Sequence, residues 1–190
     1  MSYTKKETAR VGREHQLYTK DNLRLVAGGI VLDGTHEKVL MISSAKHPDK
    51  WIIPKGGIED DEVEDYGTAA LREVWEEAGA DCEIVKKIGQ YKDHRLEKNS
   101  TDIGEWALCE FHFYQMKLKQ LAIEWPESST RLRRWCDYSE AKHELLKSKR
   151  PELLLALNDS DIVKNVDLLE YEHSNLKDTQ LDNDDQYENI

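Results

Sequence analysis

Apolar residues in this chain fall in short runs, and the spacing within each run separates strands from helices. RLVAGGIVL (24–32) and KVLMIS (38–43) are rich in Val, Ile and Leu and flank DGTHE. That predicts two buried strands joined by a turn around Asp33-Gly34. WIIPKGG (51–57) predicts a short strand stopped at Pro54 and followed by a glycine loop. The acidic stretch IEDDEVED (58–65) leads into a helix from about Asp65 to Ala78, with Gly79 placed as its C-terminal cap. On that helix Leu71, Val74, Trp75 and Ala78 share one side, and Arg72, Glu73, Glu76 and Glu77 share the other. Trp51 and Trp75 are expected in the core.

CEIVKKIGQYK (82–92) and EWALCEFHFYQMKL (105–118) predict further strands, joined by a polar, mobile loop, DHRLEKNSTDIG (93–104). RLRRWCDY (131–138) starts with a last short strand. SEAKHELLKSK (139–149) and the Pro-initiated PELLLALN (151–158) predict two helices. Strands and helices are interspersed, with no internal repeat and no linker. The expected fold class is therefore α/β, a sandwich around a mixed sheet.

The chain has 190 residues, enough for one core, and a formal net charge of −11. The charge is uneven. Val166 to Ile190 holds eight acids against one base, Lys177, and has little periodic apolar content, which predicts a disordered acidic tail. Residues 1–22 are polar and lean basic, a predicted extension packing on a domain spanning 23–165. No apolar run is long enough to span a bilayer, so no membrane partner is expected. The N-terminal stretch lacks the apolar core of a secretory signal. Cys82, Cys109 and Cys136 are odd in number and widely spaced, which argues for a reducing compartment, the cytosol or nucleus. An acidic total argues against a stable nucleic-acid partner.

The acidic helix face is the candidate chemistry. Like charges at helical spacing repel by a few tenths of a kcal/mol (about 0.2–0.5) per pair. Glu73, Glu76 and Glu77 therefore form either a solvated face or a cation site. The upstream Gly56-Gly57 pair and the acidic loop favour a site. Carboxylates without His or Cys favour Mg²⁺ or Mn²⁺ over zinc, and Mg²⁺ is usually shared with substrate phosphates.

G-G-x-E (56–59) followed by R-E-V-W-E-E-A-G-A (72–80) resembles the Nudix box, the signature of hydrolases of diphosphates linked to another group. The loop before Arg72 is one or two positions longer than the family's usual spacing, leaving either Glu62 or Glu64 as the upstream glutamate. S-S-A-K-H-P-D-K-W-I-I-P-K-G-G (43–57) resembles the diphosphoinositol polyphosphate phosphohydrolases. T-A-R-x-G-R-E-x-Q-x-Y (8–18) and K-R-P-E-L-L-x-A-L (149–157) resemble the fungal members in particular. The resemblance runs from about Thr8 to Lys164.

It implies a Nudix-type α/β/α sandwich and removal of the β-phosphate from diphosphoinositol polyphosphates, with diadenosine polyphosphates and polyphosphate as further substrates. It implies Glu73, Glu76 and Glu77 as metal ligands, Glu77 as general base with Glu73 in reserve, and Arg72 orienting the acids. Gly56 and Gly57 would let ligand phosphates approach the backbone. Arg10, Arg24, Lys46, Lys55, Arg133 and Arg150 are the expected phosphate contacts, with Ser43 or Ser44 adding a hydroxyl. The charge map agrees with a polyanionic small molecule as partner of a monomer. Residues 1–55 carry ten bases against six acids, and residues 131–150 carry seven against three. Two alternatives are a Nudix enzyme for dinucleoside polyphosphates or mRNA caps, and a non-catalytic Nudix binding module. The first would need an aromatic platform from Tyr91, Trp106, Phe111 or Tyr114, whose alternating spacing fits core packing better. The second is signalled by loss of the box glutamates, and all three are present.

Overall fold

The computed structural model describes residues 5–93 and 108–164. The predicted 93–104 loop beyond Asp93, together with Trp106 and the acidic tail, lies outside these residues.

Strand β1 (Arg24–Leu32) organises the sheet, and all its residues but the first are buried. It pairs in parallel with β6 (Cys109–Leu121) from Arg24↔Cys109 to Leu32↔Lys117. On its other side it pairs antiparallel with β2 (Lys38–Ser43). The path continues from β2 to β3 (Trp51–Ile52), and from β6 to β5 (Ala80–Lys92), in the order β3-β2-β1-β6-β5. Strand β4 (Lys55–Gly57) adds to β1, and β7 (Arg133–Asp137) to β2. Among the described residues only the β1–β6 pair is parallel, so the sheet is mixed.

Alternate residues of β1 feed two cores. Val26, Ile30 and Leu32 join Phe111 and Phe113 with Leu145, Leu153 and Leu157 of α2 (Tyr138–Lys147) and α3 (Pro151–Asn158). Leu25, Ala27 and Val31 join Ala69, Ala70, Val74 and Ala78 of α1 (Tyr66–Ala78). With helices on both faces, β1 reads as an unbroken apolar run.

Two expectations change. The glycine pair is strand, not loop: beyond Pro54 the chain re-enters the sheet, registering Ala27↔Gly56 and Val26↔Gly57. Pro54 lacks an N–H and interrupts pairing, yet its carbonyl accepts from Gly29 N–H at 3.2 Å, holding β4 beside β1. Second, Trp75 is half-buried rather than core, and its Nε1 donates to the Lys6 carbonyl at 2.9 Å. Trp51 is also only half-buried; it packs at the core's edge with the Arg134 guanidinium 4.3 Å over its ring.

Candidate active site

Helix α1 is fixed at both ends by its own sequence. Asp65 caps the N-terminus, accepting from Gly67 N–H. Gly79 ends it in the left-handed region (φ 60°), where a side chain would be strained, and its N–H donates to the Trp75 carbonyl. This sets the azimuth of the acids. Their face is not solvated: Arg72, Glu73, Glu76 and Glu77 are 1, 8, 2 and 6% exposed. Strand β4 and the loop from Ile58 to Asp65 cover it.

One guanidinium organises the cover. Arg72 Nε and Nη2 donate to the two oxygens of Glu62 at 2.6 and 2.9 Å. Its Nη2 also reaches the Gly57 carbonyl at 2.7 Å. Its Nη1 donates to Glu73 Oε1 at 2.6 Å and Glu76 Oε2 at 3.3 Å. Glu62 is therefore the upstream glutamate in spatial terms, while Glu64 is exposed. A one-turn 3-10 helix, Asp60–Glu62, takes up the lengthened loop and turns Glu62 inward.

Arg72 faces three carboxylates with one charge, so the acids are under-compensated. Burial, reinforced by Glu77 and Glu76, pushes the Glu73 carboxyl up to about 8. Burial also raises Glu76 and Glu77, against the pull of Arg72 on the first and Arg131 on the second. Glu77 Oε1 is paired with Arg131, and Glu77 Oε2 accepts from Lys55 N–H at 2.7 Å. Gly56 abuts Glu73 so closely that a Cβ there would lie 2.0 Å from Oε2.

Glu77 also borders a cleft of about 810 Å³. It is the sole acid among the described lining residues. Of the expected phosphate contacts, Arg24, Lys46, Lys55, Arg150 and Ser44 line the cleft. Arg24 is steadied by Gln16 at 2.6 Å, and Arg150 by buried Glu152 at 3.1 Å. Burial, with Arg150 next in effect, lowers the Lys55 ammonium to about 8.

The other expected contacts sit elsewhere. Arg133 donates to the carbonyls of Ala78 and Ala122 at 2.7 and 2.5 Å and stacks 4.2 Å over Trp125, so it caps the end of α1. Ser43 is buried, and its Oγ accepts from Leu132 N–H at 2.9 Å, joining β2 to the segment before β7. Arg10 is held by Glu59 and Asp61 on the acidic side of the box. Gly56 backs Glu73 and Gly57 abuts Gln16 and Arg24; neither glycine lines the cleft.

Sequence reasoning missed Arg13, Lys50, Lys149 and Arg131 on the cleft wall. The RLRR stretch marked the segment, but only tertiary packing separates Arg131, which points at Glu77, from Arg133, which points away.

Among the described residues no three acid, His or Cys side chains converge as a ready cage, because Arg72 and Arg131 hold the carboxylates. The donor set nevertheless fits a hard divalent cation. It is all oxygen and carries surplus negative charge, and Glu76 Oε1 is buried with no hydrogen-bond partner among the described residues.

The mixed sheet between helices is the sandwich that the resemblance to the Nudix box implies. The NUDIX domain matches residues 22–157, and the chain belongs to the Nudix hydrolase family. It is 37% identical over 145 residues to Nudix hydrolase 16, mitochondrial, of Arabidopsis thaliana, covering 70% of this chain and 78% of that one. It is 32% identical over 107 residues to human diphosphoinositol polyphosphate phosphohydrolase 3-beta, covering 55% and 58%. The chain thus spans little more than half of the human enzyme. A Nudix hydrolase from Nitrosomonas europaea shares the fold, with TM-score 0.59, 14% identity and coverage of 76% and 97%. None of these is fungal. Among the described residues no helix is long and apolar enough to cross a membrane.

Proposed function

We propose that this enzyme removes the β-phosphate from diphosphoinositol polyphosphates in a reaction that depends on Mg²⁺ or Mn²⁺. One observation carries the reading: a cleft walled by basic side chains meets the box acids at a single carboxylate, Glu77. A ligand with phosphates on several sides suits such a wall. The human relative's name adds support.

A bound divalent cation would supply charge neutralisation at the diphosphate oxygens and acidify a water. Glu73, Glu76 and Glu77 would hold it. The chain's own groups do the rest. Arg24, Lys46, Lys55 and Arg150 bind and orient the phosphates. Arg72 keeps the acids on one face. Glu77 takes the proton of the attacking water, and burial of its carboxyl raises its proton affinity toward what a base needs. Water adds to the β-phosphorus as the bond to the bridging oxygen breaks, releasing inorganic phosphate.

The described cleft wall contains no Phe, Tyr or Trp. Phe111 and Tyr114 are buried in the two cores, and Tyr91 packs against one of them. Among the described residues the wall offers a nucleobase no Phe, Tyr or Trp ring, which favours an inositol over dinucleoside polyphosphates or caps. Diadenosine polyphosphate and polyphosphate hydrolysis remain secondary activities of the same site. We place the protein in the cytosol or nucleus as a monomer. Its three cysteines are buried and form no disulfide, in keeping with a reducing compartment.

The test is turnover of a diphosphoinositol polyphosphate, diadenosine polyphosphate, polyphosphate and capped RNA, each offered separately with Mg²⁺. The first should be hydrolysed most efficiently, and strong preference for capped RNA overturns the proposal. Glu77→Gln should abolish turnover and leave the fold intact. A folded variant with near-normal rate removes Glu77 from the mechanism.

A further inference from the structure

The family match begins at residue 22, but the acids are held in part from outside it. Residues 5–18 run as a strap along the box. Lys5 pairs with Asp81 at 2.5 Å and lies over the Trp75 ring, and the Lys6 carbonyl accepts from Trp75 Nε1. Asp60 N–H donates to the His15 carbonyl, and Leu17 N–H to the Ile58 carbonyl.

At the centre is Arg10. Its backbone N–H donates to Glu76 Oε2 at 3.2 Å. Its guanidinium grips the box loop, with Nη1 and Nη2 reaching the two Asp61 oxygens at 2.8 and 3.0 Å and Nη1 pairing with Glu59. Glu76 Oε2 is thus held from two sides, by Arg10 N–H and by Arg72. Its partner oxygen, Oε1, is buried and unpaired among the described residues. A carboxylate fixed through one oxygen, with the other left over, is arranged to hand that oxygen to a ligand.

We propose that Arg10 is a positioning residue for the cation site: it pins the strap to the Glu59–Asp61 loop so that its own N–H fixes Glu76 with Oε1 free to ligate. This rests on the reading that the box acids hold a divalent cation. It replaces the sequence expectation that Arg10 touches substrate phosphate.

The two roles separate in a measurement of metal alone. Purified full-length protein is titrated with Mn²⁺, and free Mn²⁺ is followed by electron paramagnetic resonance. Arg10→Ala should weaken Mn²⁺ binding on the order of tenfold, as loss of an outer partner of a ligand does. Arg10→Lys should restore part of it. At saturating Mn²⁺ the KM for the polyphosphate substrate should stay within about twofold. Asp61→Asn, on an exposed side chain, should weaken Mn²⁺ in the same direction and serves if Arg10→Ala does not fold. Mn²⁺ binding equal to wild type in Arg10→Ala and Asp61→Asn overturns the proposal. So does a KM rise at unchanged Mn²⁺ affinity, which returns Arg10 to the substrate. If wild type itself binds no Mn²⁺, the cation reading fails as well.

Discussion

Arg72→Lys keeps the charge of the buried guanidinium and removes its shape, and the structure sets the cost. Arg72 makes five hydrogen bonds, to both oxygens of Glu62, to Gly57 O, to Glu73 and to Glu76. An ammonium has three donors and no planar fork, so at least two contacts are lost. At about 1.5–3 kcal/mol for each charge-assisted bond, the loss is about 3–6 kcal/mol. Breaking a buried pair by removing one partner costs a similar amount, about 3–5 kcal/mol. At about 2–4 °C per kcal/mol, Tm should fall by roughly 6–24 °C. Arg72→Met removes the charge as well. The acids' carboxyl groups then rise further, and the folded state binds more protons than the unfolded one. Stability therefore falls as pH rises, and the deficit against wild type should be larger at pH 8 than at pH 6. Urea unfolding of wild type and both variants, in chelator, measures all of this. A Lys variant within about 1 kcal/mol of wild type would refute the argument that fork geometry holds the acids. A Met deficit that grows toward acid would refute the charge accounting.

Three further outcomes follow. Gly56→Ala puts a Cβ 2.0 Å from Glu73 Oε2 and should cost about 1–3 kcal/mol of stability while cutting kcat far more than KM; Gly34→Ala, with nothing within 4 Å, is the control and should match wild type in both. In metal-free protein Glu73 contributes stability that is fully present below its ordinary value of 4.5 and lost as pH rises through about 8. Stability should fall by up to about 1.4 kcal/mol per pH unit across that window, and Glu73→Gln should flatten the slope in pH-dependent denaturation curves. Arg133→Gln leaves the carbonyls of Ala78 and Ala122 short of a donor and should cost about 1–3 kcal/mol by thermal melt with KM unchanged; a tenfold KM increase would restore a phosphate contact.

Local patterns were enough for much of this molecule. Apolar runs located β1 and β2 at their observed limits, and Asp65 and Gly79 bracketed α1, because strand burial and helix capping are written within a few residues. The order R-E-x-x-E-E marked the acids for the same reason. Their burial was not legible. The amphipathic reading assigned the acids to the polar face, and that face is enclosed by the return of β4 beside β1, the inward turn of Glu62, the strap carrying Arg10, and Arg131. The choice between Glu62 and Glu64 also waited on that turn.

The basic residues show the limit most plainly. Composition put cations in two segments, and charge density alone required that for a polyanion site. Which of them face the cleft depends on contacts between residues far apart in sequence. Arg131 meets Glu77, Arg133 caps α1, and Arg10 grips Asp61. A guanidinium on a long side chain takes whichever acceptor the fold brings near. The sequence by itself located most of the elements, the family box and the sign of the site's walls. Tertiary structure decided which charges became wall, which became scaffold, and how three glutamates stay together under one arginine.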